Sequence, residues 1–196
     1  MSSNKEKLLY TTNNFHLMER DGYVGIKPLF TNVVVMPFTC DENKLPLMVG
    51  VIKEPNPFRD GGINISLVTG TSDDEDPDLL STAKRELLEE TGLQVDDVSR
   101  WYYLGTSTSS KFVDHEQPCF AVDVTGIQQG DAKTDGSEQE KNAEYKLIPA
   151  NDVVKMKDIF IPGLFLKLFK YVIGMDLAKP GEKTEMGVKK GYNFSI

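Results

Sequence analysis

Three glutamates spaced to share one face of a helix, Glu86, Glu89 and Glu90, carry the most pointed chemistry in the chain. Glu86 and Glu90 are four apart and Glu89 is three from Glu86, so a helix brings all three together. Like charges at that spacing disfavour a helix by roughly 0.2–0.5 kcal/mol per pair. Arg85 offsets part of this, but one guanidinium against three carboxylates leaves a negative surplus. A divalent cation with oxygen ligands would remove it. Mg²⁺ suits one or two carboxylates plus substrate phosphates, with water in the remaining positions. A solvated acidic helix face is the competing reading. It accounts neither for the Arg-Glu that opens the run nor for the Thr-Gly-Leu that closes it.

The elements that must position these groups follow from pattern. Ala83, Leu87 and Leu88 form an apolar stripe at helical spacing, and Gly92 stands where a helix C-cap wants a left-handed residue. Asp76 before Pro77 reads as an N-cap followed by a first-turn proline. Upstream, Ile63–Thr69 reads as a strand running into Gly70, with the acidic loop Asp73–Asp78 between strand and helix. Leu8–Glu19 and Tyr23–Pro28 read as two strands around the turn Arg20-Asp21-Gly22. Asn32–Phe38, a β-branched run, reads as a central strand; Leu45–Ile52, Trp101–Leu104, Pro118–Val124 and Tyr145–Ile148 supply further strands. Asn151 stands as a cap for a short helix reaching Met156. Pro162 opens a terminal helix with the stripe Leu164, Phe165, Leu168, Phe169, Val172 and Ile173. The order predicts an α/β fold.

Composition narrows the function classes. A chain of 196 residues allows one domain with a full core, with room for an extra N-terminal sheet. No apolar run approaches the ~18 residues of a membrane helix, and Met1–Glu6 lacks the apolar stretch of a signal peptide. Cys40 and Cys119 form no metal spacing and no disulfide framework. A cytoplasmic protein is the expectation. Between Gly70 and Asp97 ten acids face two bases, which accounts for the whole formal charge of −8. The acid surplus sits on the three-glutamate helix and the loop before it. That favours a cation site and argues against a nucleic-acid surface, which needs a basic stripe.

The run Arg85-Glu86-Leu87-Leu88-Glu89-Glu90-Thr91-Gly92-Leu93 resembles the second half of the Nudix hydrolase motif, Arg-Glu-aliphatic-any-Glu-Glu-any-Gly-aliphatic, without a departure. The first half departs. The family asks for Gly, five residues, Glu, seven residues, then Arg; here Gly70 lies fifteen before Arg85 and Glu75 is its nearest Glu. The resemblance implies a Nudix-type α/β/α sandwich around a mixed β-sheet. It divides the chain into an N-terminal antiparallel β extension over 1–30, a Nudix domain over 31–177 and a tail over 178–196. His16–Gly22 and Ile65–Gly70 resemble the corresponding stretches of ADP-ribose pyrophosphatases. The implied activity is Mg²⁺-dependent hydrolysis of a nucleoside diphosphate linked to another group, with ADP-ribose or a nucleotide sugar first, Mn²⁺ as the alternate metal, and a homodimer as the assembly. Dinucleoside polyphosphate hydrolysis and a non-catalytic Nudix-fold binding module are the rival readings.

By the same resemblance the metal set is Glu86, Glu89, Glu90 and the carbonyl of Gly70. Arg85 belongs to the catalytic group as a salt bridge that holds the glutamates. The general base lies in a loop after the motif, where Glu138 and Glu140 stand, Glu138 nearer its middle. Lys53 and Arg59 flank the loop where the family holds substrate phosphates, and Phe58 is the first choice to stack on a base, ahead of Tyr102 and Phe112. Glu116 precedes a strand where ADP-ribose enzymes carry a Glu; the Ser-Pro-Gly that stands before it there is replaced by Thr106–Ser110. Neither His16 nor His115 receives a role.

Overall fold

The structure is a computed structural model that describes residues 6–108, 110–133, 142–157 and 159–172. Strands β1 (Glu6–Thr11), β2 (Phe15–Arg20) and β3 (Tyr23–Pro28) form an antiparallel sheet of their own. Three strands stand here where the sequence suggests two. Thr12 Oγ1 accepts from the Asn14 and Phe15 amides at 3.2 and 3.0 Å, a local turn that divides the Leu8–Glu19 run. The β2–β3 connection is the expected hairpin. Asp21 and Gly22 both take positive φ, 51° and 82°, as a turn matching strand twist requires.

The main sheet runs β10 (Glu144–Pro149), β5 (Pro46–Pro55), β4 (Asn32–Cys40), β9 (Gln117–Asp123), β8 (Trp101–Ser107), with β6 (Ile63–Ser66) on β5 and β7 (Val68–Thr71) on β4. β4 and β9 are parallel and the other pairs antiparallel, so the sheet is mixed. The single strand expected over Ile63–Thr69 is two. At Leu67, 2 % exposed, the chain leaves β5 and joins β4, which places Gly70 inside β7 opposite Val33.

Alternation along β4 makes the sandwich. Val33 and Val35 point to one face with Val68, Ala83, Leu87, Trp101 and Val122. Val34, Met36 and Phe38 point to the other with Val49, Val51, Leu164, Phe165 and Leu168. Helix α1 (Leu79–Thr91) covers the first face; α2 (Ala150–Val153) and α3 (Phe160–Val172) cover the second. This is the α/β/α arrangement expected.

Helix ends differ in detail. α1 is capped by Asp78, whose Oδ1 accepts from the Ser81 amide at 2.7 Å, and not by Asp76. Pro77 therefore lies outside the helix. At the other end Gly92 takes φ 70° and donates to the Leu88 carbonyl at 2.9 Å. A Cβ there would stand 2.2 Å from the Gly130 carbonyl oxygen, a second reason for glycine. α2 follows Pro149 directly, with Asn151 inside it and no side-chain cap. In α3, Pro162 is the third residue, where a missing N–H costs no intrahelical bond. Ile173 and the tail over 178–196 lie outside the described residues.

Candidate active site

Arg85 is the hub. Its Nη2 and Nε donate to the two carboxylate oxygens of Asp76 at 2.9 and 3.3 Å, a two-point contact. Nη2 also donates to the Thr71 carbonyl at 2.8 Å, and Asp73 Oδ2 stands 3.5 Å away. Nη1 donates to Glu86 Oε1 at 2.7 Å and to Glu89 Oε2 at 3.0 Å. One guanidinium thus ties the acidic loop and the end of β7 to two glutamates of α1. The bond to Arg85 is the main reason Asp76 is held well below the usual carboxylate range, at about 2, against a smaller opposing effect of burial. The guanidinium is in turn raised further, chiefly by Asp76.

Glu86 is nearly buried, at 9 % exposure, and its carboxyl rests on Gly70. A Cβ on Gly70 would lie 1.7 Å from Glu86 Cδ, so only glycine admits this side chain. Glu90 Oε1 accepts from the Thr69 amide at 3.2 Å. All three glutamates are therefore held at the β7–α1 junction, by Arg85 or by the strand backbone.

A cleft of about 450 Å³ opens on the α3 side of the same strand, lined by Arg59, Asn64, Ser66, Thr69, Thr108 and Gln117 among others. Thr69 belongs to both places. Its backbone holds Glu90 and its residue lines the cleft. Lys53, exposed, is the β5 partner of Ile65, which also lines the cleft. Glu116, exposed, immediately precedes Gln117. Phe58 is 95 % exposed on the loop beside Arg59, its amide bound to Asn56 Oδ1. Of the other aromatic candidates, Tyr102 packs on the core against Phe38, ring centroids 5.9 Å apart, and Phe112 stands clear under the Lys111 ammonium. Glu138 and Glu140 lie outside the described residues.

A family model described as NUDIX domain matches residues 30–168. The chain belongs to the Nudix family. Nudix hydrolases generally use divalent metals, and this chain is a Nudix pyrophosphatase. Among solved structures, a crystal structure described as ADP compounds hydrolase is similar, with a TM-score of 0.59 at 14 % identity over 87 % of this chain and 92 % of that one. That likeness speaks for the Nudix fold. No curated protein matches the sequence.

Sequence reasoning missed Asp76. Counting six positions from Gly70 in the Nudix pattern lands on it, where the family has Glu. One extra residue follows before Arg85, and the shorter carboxylate still reaches the guanidinium. The spacing points to Asp76, whereas residue type points to its neighbour Glu75. Both histidines also have partners: His16 Nδ1 bonds Thr11 Oγ1 at 2.8 Å, and His115 Nε2 bonds Asn32 Oδ1.

Proposed function

We propose that this Nudix pyrophosphatase hydrolyses a nucleoside diphosphate linked to a sugar, with ADP-ribose first and other nucleotide sugars next, in a reaction dependent on Mg²⁺. The observation that carries the reading is the seating of Glu86 on Gly70, with Glu89 on the same Arg85 nitrogen. Three carboxylates and a backbone carbonyl are hard oxygen donors, which suit Mg²⁺ or Mn²⁺. Among the described residues no three His, Cys, Asp or Glu side chains close into a ready-made metal cage. Mg²⁺ completes its shell with water and substrate phosphates, so it does not require a closed protein cage. Glu86, Glu89, Glu90 and the Gly70 carbonyl would hold it. Once bound, the metal supplies polarisation of the phosphoryl oxygens and neutralisation of the leaving group.

The chain's own groups do the rest. Arg85 fixes Glu86 and Glu89 and makes no contact with substrate. Arg59 and Lys53 meet the diphosphate at the cleft, Phe58 stacks on the base, and Glu116 accepts from a sugar hydroxyl. The hydroxyl and amide groups of Asn64, Ser66, Thr69, Thr108 and Gln117 suit a ligand rich in hydroxyls. The similarity to an ADP compounds hydrolase supports an adenosine diphosphate derivative. Glu138 takes the proton of the attacking water, with Glu140 as the alternative base.

The reading extends to assembly and location. The N-terminal sheet exposes Leu8, Tyr10, Tyr23 and Val24, at 51, 61, 78 and 47 %, which supports a homodimer through that sheet. A cytoplasmic location is part of the proposal, and Cys40 and Cys119 are not joined in a disulfide. Among the described residues no helix is long and apolar enough to cross a membrane. A panel of ADP-ribose, nucleotide sugars, dinucleoside polyphosphates and nucleoside triphosphates, with Mg²⁺ or excess chelator, tests the reading. AMP from ADP-ribose only with metal is expected. Turnover confined to triphosphates, or undiminished in chelator, overturns it.

A further inference from the structure

We propose that Asn32 is a positioning residue that sets where Glu116 meets the substrate. Asn32 opens β4 and is the register partner of Thr71, whose carbonyl accepts from Arg85. Its side-chain oxygen is shared by two donors from one short segment: His115 Nε2 and, at 3.3 Å, Gln117 Nε2. An amide oxygen has two lone pairs and can accept both. The two donors flank Glu116 in sequence. One carboxamide therefore ties down the side chains on both sides of Glu116 and is itself seated on the strand pair that anchors the Arg85 hub.

Two further contacts make the clamp specific to this segment. The Phe30 ring stands edge-on to His115, centroids 6.0 Å apart. Further back, the Ile26 amide donates to the Phe112 carbonyl at 2.7 Å, and the Asp114 amide to the Ile26 carbonyl at 2.8 Å. The stretch from Phe112 to Gln117 is thus pinned at β3 and again at Asn32, with exposed Glu116 inside the second pin. His115 and Gln117 act on the substrate only through the place they give Glu116.

The inference rests on Glu116 as a substrate contact, so the test separates the two. KM and kcat for ADP-ribose with Mg²⁺ are measured for wild type, N32A, E116Q and the double variant, with H115A and H115Q alongside. Loss of a clamp bond worth about 0.5–1.5 kcal/mol predicts a two- to tenfold rise in KM for N32A and H115A. kcat should stay within about twofold, since the clamp does not touch the reacting phosphorus. H115Q, which keeps a side-chain donor, should return towards wild type. The double variant should match E116Q alone. Additive effects of N32A and E116Q, or a change in kcat alone, overturn the inference. A raised KM for E116Q with wild-type values for N32A and H115A removes the clamp and leaves the Glu116 reading standing. Wild-type KM in E116Q, or no turnover of ADP-ribose at all, removes both.

Discussion

Gly70 lends its empty side to Glu86, and at the scale of single residues that contact is the tightest in the candidate site. Gly70→Ala should expel the carboxyl from its seat. Overpacking of this kind typically costs about 1–3 kcal/mol. We expect a lower urea midpoint together with loss of most turnover; an alanine variant with wild-type activity would show that Glu86 need not sit there. Glu90→Gln and Glu86→Gln should each abolish turnover with circular dichroism unchanged. Arg85 already offsets part of the repulsion around Glu86, so the gain in stability expected from deleting a charge is smaller there than bare spacing suggests. Glu138→Gln should lower kcat by about 10²–10⁴-fold with little change in KM, and Glu140→Gln should be mild. If the large loss follows Glu140 instead, the base is two residues on. If neither matters, a helix carboxylate must act as base.

At the scale of elements, the loop before α1 divides two duties between two aspartates. Asp78 caps the helix and Asp76 binds Arg85. Asp78→Ala should cost about 1 kcal/mol of stability while leaving KM intact. Asp76 gives a pH signature. Its folded pKa, about 2, lies below the unfolded value near 3.9, so its contribution is present above about pH 4 and fades as pH falls towards 2. Urea midpoints of wild type and Asp76→Asn should therefore differ above pH 4 and converge near pH 2. A gap of constant size across that range would mean that the Asp76 charge is not what holds the loop.

At the scale of the molecule, the three-stranded sheet stands apart from the seven-stranded one in pairing, and Ile26 of β3 bonds to Phe112 and Asp114 in the connection between β8 and β9. Leu8, Leu9, Tyr10, Tyr23 and Val24 of the three-stranded sheet face solvent in the single chain. Replacing Leu8 and Tyr10 together by lysine should shift sedimentation from dimer to monomer without loss of fold, because both already lie at the surface. A wild-type chain that sediments as a monomer would end the dimer reading.

Much of this was legible in the sequence because it depends on contacts only a few residues apart. Glutamates three and four apart share a helix face whatever else the chain does, a left-handed C-cap selects Gly92, and Asp21-Gly22 turns a hairpin. The alternating runs announce the strands, and the nine residues from Arg85 to Leu93 carry the family signature. What pairing over long distances decides was not legible. Nothing near Leu67 says that the chain changes strand partners there, because the partners β5 and β4 lie earlier in the chain. By local rule Asp76, followed by Pro77, is the expected cap, yet Asp78 caps the helix. Only the folded position of Arg85, nine residues on, draws Asp76 away, because a two-point charged contact is stronger than a bond to one backbone amide. His115 and Asn32, separated by 83 positions, meet because β4 and β9 lie side by side in the sheet.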